Sequence, residues 1–548
     1  MDEQQHPNEG NDTSTDATQK MITGSAWMTA GSIASRILGA IYIIPWVTWL
    51  GAYSNVANAV YAKGYNIYNL FLVVATAGIP SAISKLVAHY NGLDQANVSR
   101  KLYHSGMYVA AAMGVICATV MMLGAGILSG GDVNVVPVVR SLAWAVLIIP
   151  CMSITRGYLQ GYAWMAPSAM SQFIEQLFRI IYMLGATYFI MKLGSGNWVA
   201  AVTQSTFAAF IGAIGAIIVL TTAYLRHLRT MNQMARDSVG EADVSTMQLM
   251  MKIIYQSIPF IIIESGITLF QLIDQYTFNP MMRAVGHYTN YQLSVVYALF
   301  SFNANKLYMI VISLASALAA TVIPLLAEAR AQNDQAGMRK QIVNVLMMFY
   351  FVMVPAALGL SAVAQQVYTV FYRYNQAGIT ILEFASFISI PFGLYTVAAA
   401  MMQGISENKK MMVNLAVGLV VKFIIQFPCI YFFRGIGPLL ATGISMTVIN
   451  YLILHSFNDE FNLPFHEMAK PTNKILGFSL LMFVVTRALM YLLERFVSPY
   501  GRFTAFFILI PGVVVGAGIY LYLSLRSRLA EDILGARVAG LRQKLHIK

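Results

Sequence analysis

The segment LQGYAWMAPSAMSQFIEQLFRIIY (159–182) recurs later in the chain, in altered form, as MQGISENKKMMVNLAVGLVVKFII (402–425). The two segments align without a gap and pair three positions: Gln160 with Gln403, Gly161 with Gly404, and Arg179 with Lys422. Internal repeats of this kind are typical of transporters built from two related halves. The match therefore predicts that the chain consists of two structural repeats.

A second match supports the same division. Ile79-Pro80 and the later run DQANVSRK (94–101) correspond to Ile323-Pro324 and DQAGMRK (334–340), if a short gap is allowed. We assign six apolar spans to each repeat, and an even number gives both repeats the same orientation in the membrane. The sequence thus predicts parallel repeats rather than inverted ones.

The composition is that of a polytopic membrane protein. Of the 548 residues 58% are hydrophobic and 11% charged, and the mean hydropathy is +0.63. Spans of about twenty apolar residues cross the hydrocarbon core. We predict an all-α protein with 14 transmembrane helices, near 23–50, 65–88, 104–128, 136–158, 167–191, 198–225, 253–277, 293–323, 341–364, 379–402, 411–433, 437–457, 474–494 and 503–525.

These spans predict two six-helix lobes and a C-terminal helix pair. The predicted segments are a disordered cytoplasmic tail (1–22), an N-lobe (23–225), a cytoplasmic loop (226–252), a C-lobe (253–457), the final pair (458–525) and a basic cytoplasmic tail (526–548). The first twenty residues lack the apolar region of a cleaved signal peptide. The excess of Lys and Arg in alternate loops predicts that both termini lie in the cytoplasm.

Several classes of partner and chemistry are disfavoured. The net charge of +12 is spread over short loops between apolar runs, which does not suggest a nucleic-acid surface. Cys117, Cys151 and Cys429 lie in apolar spans without the spacing of a metal site or disulfide framework. A nucleotide-binding loop and a catalytic triad are also missing from the sequence. We therefore predict a protein that is not an enzyme and holds no structural metal.

Charged residues inside the spans carry the functional signal. A charge near the membrane centre costs several kcal/mol, so such residues usually face protein or a wet cavity. The predicted spans hold eight cations, Arg36, Lys85, Arg140, Arg156, Arg179, Lys306, Lys422 and Arg487, against only three clear acids, Glu175, Glu264 and Asp274. This surplus predicts a cavity that accepts an anion.

The cations differ in what their positions suggest. Lys85, Arg156 and Arg140 lie toward span ends, where snorkelling to the headgroups is expected. Arg179 either pairs with Glu175 one helical turn away or faces the cavity. Arg36 and Lys306 have no acid within a turn. They are our leading phosphate ligands, because guanidinium offers a bidentate fork and ammonium a point charge.

Uncharged and acidic residues add two further candidate sites. Asn303 and Asn305 closely precede Lys306 and predict a water-filled face on the eighth span. Glu264 and Asp274 lie in the seventh span, where they either neutralise nearby cations or bind a coupling ion with help from Asn414. Neutralisation is favoured, because a hard cation needs several oxygen ligands.

The sequence resembles the MurJ family of lipid II flippases, in its Gram-positive YtgP and SpoVB branch, within the MOP exporter superfamily. The resemblance rests on SRILG (35–39), AGIPSAISKLVAHYN (77–91) and NKLYMIV (305–311). It implies a MATE-like or MOP-like fold, with two lobes in a V around a cationic cavity lined by Arg36 and Lys306 and with the last two spans forming a lipid-tail groove. The chain departs from the Gram-negative members at Tyr42 and at Asn69-Leu70-Phe71, where those members have arginines. Lys63 or Arg179 would then substitute as phosphate ligands.

The resemblance implies transport of an undecaprenyl-pyrophosphate-linked peptidoglycan precursor from the inner to the outer leaflet by alternating access. We expect a monomer in the lipid bilayer, with no cofactor beyond a monovalent coupling cation, Na⁺ or H⁺. Alternatives are a flippase for another lipid-linked oligosaccharide and a MATE-type multidrug exporter, although an exporter of cationic drugs should carry acids in its cavity. A membrane transferase would need paired catalytic carboxylates or a histidine at a membrane face.

Overall fold

The structure is a computed structural model that describes residues 39, 41–76, 78–238, 246–535, 540 and 542. Within these residues the regular elements are helices, and eleven helical stretches are long and apolar enough to cross a membrane. The longest stretch, Asn408–Phe461, spans 54 residues and contains two helices joined by a short turn. The prediction of an all-α, multi-pass membrane protein is confirmed. The count of fourteen spans stays a prediction.

The helices are numbered here in chain order. They are α1 Ile43–Leu50, α2 Ser54–Thr76, α3 Ile79–Gly92, α4 Ala96–Leu128, α5 Val136–Gly161, α6 Met165–Tyr188, α7 Trp198–Arg236, α8 Thr246–Val285, α9 Asn290–Ala298, α10 Asn305–Ala331, α11 Gln335–Ala362, α12 Ala364–Tyr372, α13 Gln376–Gly404, α14 Asn408–Phe433, α15 Gly437–Phe461, α16 Phe465–Phe496, α17 Arg502–Arg526 and α18 Leu529–Leu534. A π-helical segment, Leu299–Ala304, joins α9 to α10. Each predicted span from the third onward coincides with a helix or, at the eighth, with this joined pair.

The second predicted span, 65–88, is divided in the structure. Helix α2 begins earlier, at Ser54, and a break separates it from α3. Gly78 adopts a left-handed conformation with φ of 71°, and a side chain there would collide with Phe260. Glycine meets both requirements, because it has no Cβ. The predicted start of this span at residue 65 is therefore wrong, and Lys63, which the prediction leaves outside the span, lies inside α2.

The repeat found in the sequence has a counterpart in backbone geometry. Helices α5 and α13 each end in a turn with a left-handed residue that is not glycine, Ala163 (φ 61°) and Ser406 (φ 64°). The N–H of Ala163 donates to the carbonyl of Gln160, and the N–H of Ser406 donates to that of Gln403. In both turns the next N–H also bonds back into the last turn of the helix, as in a Schellman motif. The ungapped alignment thus pairs positions of equal geometry.

The chain forms two compact units. The first comprises 1–50 and 63–265, and the second comprises 51–62 and 266–548. Helix α8 is shared between them because its two parts pack differently. Phe260 packs against Gly78 in the first unit, whereas Gly266 packs against Tyr395 in the second. The units therefore divide within α8 and not in the 226–252 loop, and the domain boundaries drawn from the sequence stay predictions.

The C-terminal helices α16 and α17 pack within the second unit. The hydroxyl of Tyr520 donates to the carbonyl of Phe351 at 2.8 Å. Arg487, one of the predicted intramembrane cations, lies 2.8 Å from Glu383 and also reaches the carbonyl of Ala362. This basic residue in α16 therefore has its counter-charge on α13.

Candidate functional site

Lys306 is the second residue of α10, directly after the π-helical segment. Its side chain is half-buried, and its ammonium lies 5.9 Å from the ring centre of Tyr61 and 5.5 Å from that of Phe302. Aromatic faces attract a cation within about 6 Å, more strongly when water is excluded. π-helical segments are frequent at functional sites, because they change which side chains a helix presents. The positive charge of Lys306 is thus held at an irregular point of a membrane helix.

Asn303 fixes this irregular segment through three hydrogen bonds. Its amide nitrogen donates to the hydroxyl of Tyr368 at 2.9 Å and to the side-chain oxygen of Asn55 at 3.3 Å. Its oxygen accepts a bond from Asn58 at 2.8 Å. Asn303 has no exposed surface. The sequence predicts a water-filled face here, but the structure buries this amide because its polar atoms bind other side chains of the second unit.

Asn305 forms a hydrogen bond within its own helix. Its amide donates to the hydroxyl of Tyr308, one turn further along α10, at 2.8 Å. Asn305 is half-buried and adjoins Lys306 in sequence. Asn303 and Asn305 therefore differ in kind, because one anchors the helix to its neighbours and the other bonds within its own helix.

Sequence reasoning missed the partners that surround this site. Asn55, Asn58 and Tyr61 lie at three-residue spacing on α2, which places them along one helix face. That spacing is visible in the sequence, but these residues lie between the predicted spans 23–50 and 65–88 and are therefore not predicted to be helical. Tyr368 lies on the short helix α12, and its sequence gave no indication that it would meet Asn303.

Lys63 is engaged in an ion pair. Its ammonium lies 2.8 Å from the carboxylate of Asp132, and the residue is 6% exposed. Both residues belong to the first unit. Lys63 would have to exchange this carboxylate for a phosphate before it could contact a substrate.

Arg156 and Arg179 share one carboxylate. Arg156 lies 2.8 Å from one oxygen of Glu175, and Arg179 lies 2.8 Å from the other. Arg156 also donates to the hydroxyl of Ser171. The prediction that Arg156 snorkels is therefore wrong, because an acid on α6 lies within its reach. Two guanidinium groups on one carboxylate leave this cluster with a net positive charge.

Lys85 and Arg140, the other two cations expected to snorkel, are exposed in the structure. Lys422 has the opposite environment, because it is completely buried and lies 2.6 Å from Asp274. Asp274 was one of the coupling-ion candidates, and here its carboxylate neutralises a lysine. The favoured interpretation of Asp274 as a neutralising group agrees with this contact.

The other two coupling-ion candidates are Glu264 and Asn414. Among the described residues, neither forms a hydrogen bond with Lys422 or Asp274. Glu264 is exposed, and Asn414 has an amide nitrogen that is buried without a hydrogen-bond partner among the described residues. No group of three or more potential metal-ligating side chains occurs in the part of the chain that the structure describes. Arg36, the other leading phosphate ligand, lies outside the described residues.

The chain is similar to known proteins over nearly its whole length. The family described as "Polysaccharide biosynthesis protein" matches residues 21–330. The lipid II flippase MurJ of Bacillus subtilis (strain 168) is 32% identical over 543 residues, which cover 96% of this chain and 99% of the relative. The similarity therefore extends over both units and the C-terminal helices.

Solved structures share the fold. A lipid II flippase MurJ in an inward closed conformation superposes with a TM-score of 0.64 at 15% identity, over 92% of this chain and 99% of that one. An inward-facing multidrug resistance MATE family transporter of the MOP superfamily superposes with a TM-score of 0.55 at 14% identity, over 77% of this chain and 98% of that one. At these identities the likeness establishes the architecture alone.

Proposed function

The chain belongs to the polysaccharide biosynthesis protein family, and we propose that it is a flippase for lipid II, moving this precursor from the inner to the outer leaflet of the bacterial plasma membrane. The observation that carries the proposal is the similarity to a lipid II flippase over nearly the full length of both chains. The relatives found are transporters, which agrees with a protein that is not an enzyme.

The proposed pyrophosphate ligands are Lys306 and Arg36. Lys306 supplies a compact positive charge from a half-buried position beside two aromatic rings. Such a charge is weakly screened and attracts a phosphate more strongly than an exposed lysine would. Arg36 adds the planar fork that binds two phosphate oxygens at once. Asn303 has a positioning role in this proposal, because it holds the segment before Lys306 in place.

Arg179 and Lys63 have secondary roles in this proposal. Each already contacts a carboxylate, so binding a phosphate requires an exchange of anions. The Arg156–Glu175–Arg179 cluster keeps a net positive charge, which attracts an anion without the loss of its internal pairs. Asn305 is close enough in sequence to Lys306 to contact the same ligand.

The proposed mechanism is alternating access, in which the two repeats move about a site that holds the lipid headgroup. The membrane potential supplies about 2.3 kcal/mol for each elementary charge moved through 100 mV. This is sufficient to bias a step whose two end states are otherwise similar in energy. The proposed charge carriers are the ligands of the pyrophosphate.

The test is the exposure of lipid II on the outer leaflet of cells that lack redundant flippases. Depletion of the protein should reduce the amount that an external probe detects, while the total lipid II pool stays constant or rises. Restoring the wild-type chain should restore exposure. Unchanged exposure after depletion would show that the proposed function is wrong.

The same cells separate the proposed substrate from another undecaprenyl-linked glycan. If the chain carried such a glycan instead, depletion would reduce the outer-leaflet amount of that glycan and leave lipid II exposure intact. A multidrug exporter would leave both unchanged and would alter resistance to cationic compounds.

A further inference from the structure

The ammonium of Lys422 is bound by three oxygen atoms. It donates to Asp274 Oδ1 at 2.6 Å, to Thr442 Oγ1 at 2.6 Å and to the carbonyl oxygen of Pro438 at 3.1 Å. Asp274 lies on α8, whereas Pro438 and Thr442 lie at the start of α15. A lysine ammonium has three donors, so this set satisfies it completely.

The three oxygens are of the kinds that bind small monovalent cations in transporters. A carboxylate, a backbone carbonyl near a helix end and a hydroxyl converge on one buried point. The face of Phe270 lies 5.9 Å from the same ammonium. Because the carboxylate is neutralised by a charge tethered to the chain, the position needs no ion from solution.

We propose that Lys422 permanently occupies a position that would otherwise bind an exchangeable monovalent cation such as Na⁺. The second unit therefore neutralises Asp274 with its own ammonium, and Asp274 does not exchange ions with either side of the membrane. The consequence for transport rests on the proposed function: at a fixed membrane potential, flipping by the wild-type chain is independent of Na⁺.

Gln426 indicates how the position would respond to loss of the lysine. Its amide nitrogen donates to Asp274 Oδ1 at 2.8 Å and to Thr277 at 3.3 Å. Its amide oxygen is buried and lacks a hydrogen-bond partner among the described residues. Shortening Lys422 would leave the three oxygens in place and make this fourth oxygen available after rotation of the amide. We therefore expect a lysine-free variant to acquire a Na⁺ site.

The test measures thermal unfolding of the full chain in detergent, in NaCl or in choline chloride at equal ionic strength. The wild-type melting temperature should be the same in both salts. Lys422→Ala, purified in NaCl, should melt higher in NaCl by on the order of a few degrees, with a saturable dependence on Na⁺. Lys422→Ala combined with Asp274→Asn should lose this dependence, because the carboxylate that attracts the ion is gone.

Two results would overturn the proposal. One is a saturable Na⁺ stabilisation of the wild type that Asp274→Asn abolishes, since the position would then already bind an exchangeable ion. The other is a folded Lys422→Ala that is indifferent to Na⁺. Where Lys422→Ala does not fold, Lys422→Gln, which keeps polar atoms near the oxygens, takes its place with the same two outcomes.

A transport measurement distinguishes failure of this cation proposal from failure of the proposed flippase function. Wild-type protein in liposomes is assayed for lipid II movement at a fixed K⁺ diffusion potential, with Na⁺ or choline as the remaining cation. Equal rates in both salts support the tethered cation, and a strict requirement for Na⁺ opposes it. Absence of movement in every salt contradicts the flippase function and leaves the unfolding result to decide the cation proposal.

Discussion

Lys422 and Asp274 form a buried ion pair of 2.6 Å although 148 positions separate them in sequence. The lysine is completely buried and the aspartate is 8% exposed. Removal of one partner from such a pair leaves an uncompensated charge, which typically costs about 3–5 kcal/mol. The pair therefore joins α8 to α14. Removing both charges should cost less stability than removing only one of them.

Asp274→Asn should lower the stability of the chain by about 3–5 kcal/mol, because the ammonium of Lys422 would stay buried without its carboxylate. Combining it with Lys422→Met should recover most of that loss. Thermal unfolding in detergent with choline chloride measures both. Lys409→Ala, which removes an exposed lysine on the same helix as Lys422, serves as the control. A single variant that melts like the wild type would show that the pair contributes little.

Gly78→Ala should destabilise the break between α2 and α3 by about 1 kcal/mol or more. The left-handed backbone disfavours a Cβ, and that Cβ would meet Phe260. Gly185→Ala is a matched control, since it lies within a helix and has open space around it. Alanine there should be neutral or slightly stabilising. Equal melting temperatures for the two variants would contradict this role of Gly78.

The helical architecture follows from the sequence because long apolar runs and short loops leave few alternatives in a membrane. The alignment of 159–182 with 402–425 also predicts the pairing of turns, since the left-handed residues Ala163 and Ser406 occupy corresponding positions. The division between α2 and α3 is harder to predict. Asn55 and Asn58 lower the apparent hydropathy of the first part of α2, although in the structure both side chains form hydrogen bonds with Asn303.

The sequence does not predict which charged residues on distant spans form ion pairs with each other. A helical period connects Arg179 with Glu175, and that contact exists. The same rule gives no information about Arg156, whose carboxylate partner is on another helix, or about Lys422 and Asp274. Counting cations against acids detects a surplus, but only packing decides which cations are neutralised.

Glu175→Gln should destabilise the first unit, because it removes the carboxylate that binds both Arg156 and Arg179. These side chains are partly buried, so we expect a loss of about 1–3 kcal/mol. The melting temperature of the purified chain measures it. Glu328→Gln, at an exposed site on α10, controls for the chemical change. If both variants unfold at the same temperature, the shared carboxylate has no structural importance.

Asn303→Ala should have a larger effect than Asn305→Ala. The first variant leaves Asn58 and Tyr368 without a bond to a buried amide, whereas the second removes one bond within a helix. Unsatisfied buried groups cost about 1–3 kcal/mol each. We expect Asn303→Ala to lower both thermal stability and complementation of a depleted strain. Equal effects of the two variants would contradict the anchoring role of Asn303.

Lys306→Ala should abolish complementation of a depleted strain while the protein still inserts in normal amounts. The proposed pyrophosphate site loses its charge in the second unit, and contacts to a charged ligand group are typically worth about 1.5–3 kcal/mol. Lys306→Arg keeps a cation that stacks on aromatic rings and should retain part of the activity. Outer-leaflet lipid II, measured with an external probe, is the direct readout.

Lys409→Ala is the matched control for Lys306→Ala, because it removes an exposed lysine in the same unit. It should complement like the wild type. The melting temperature of each variant separates a binding defect from misfolding, and Lys306→Ala should stay close to the wild type. If Lys306→Ala supports growth and normal lipid II exposure, Lys306 does not bind the pyrophosphate, even if depletion of the protein confirms the flippase function.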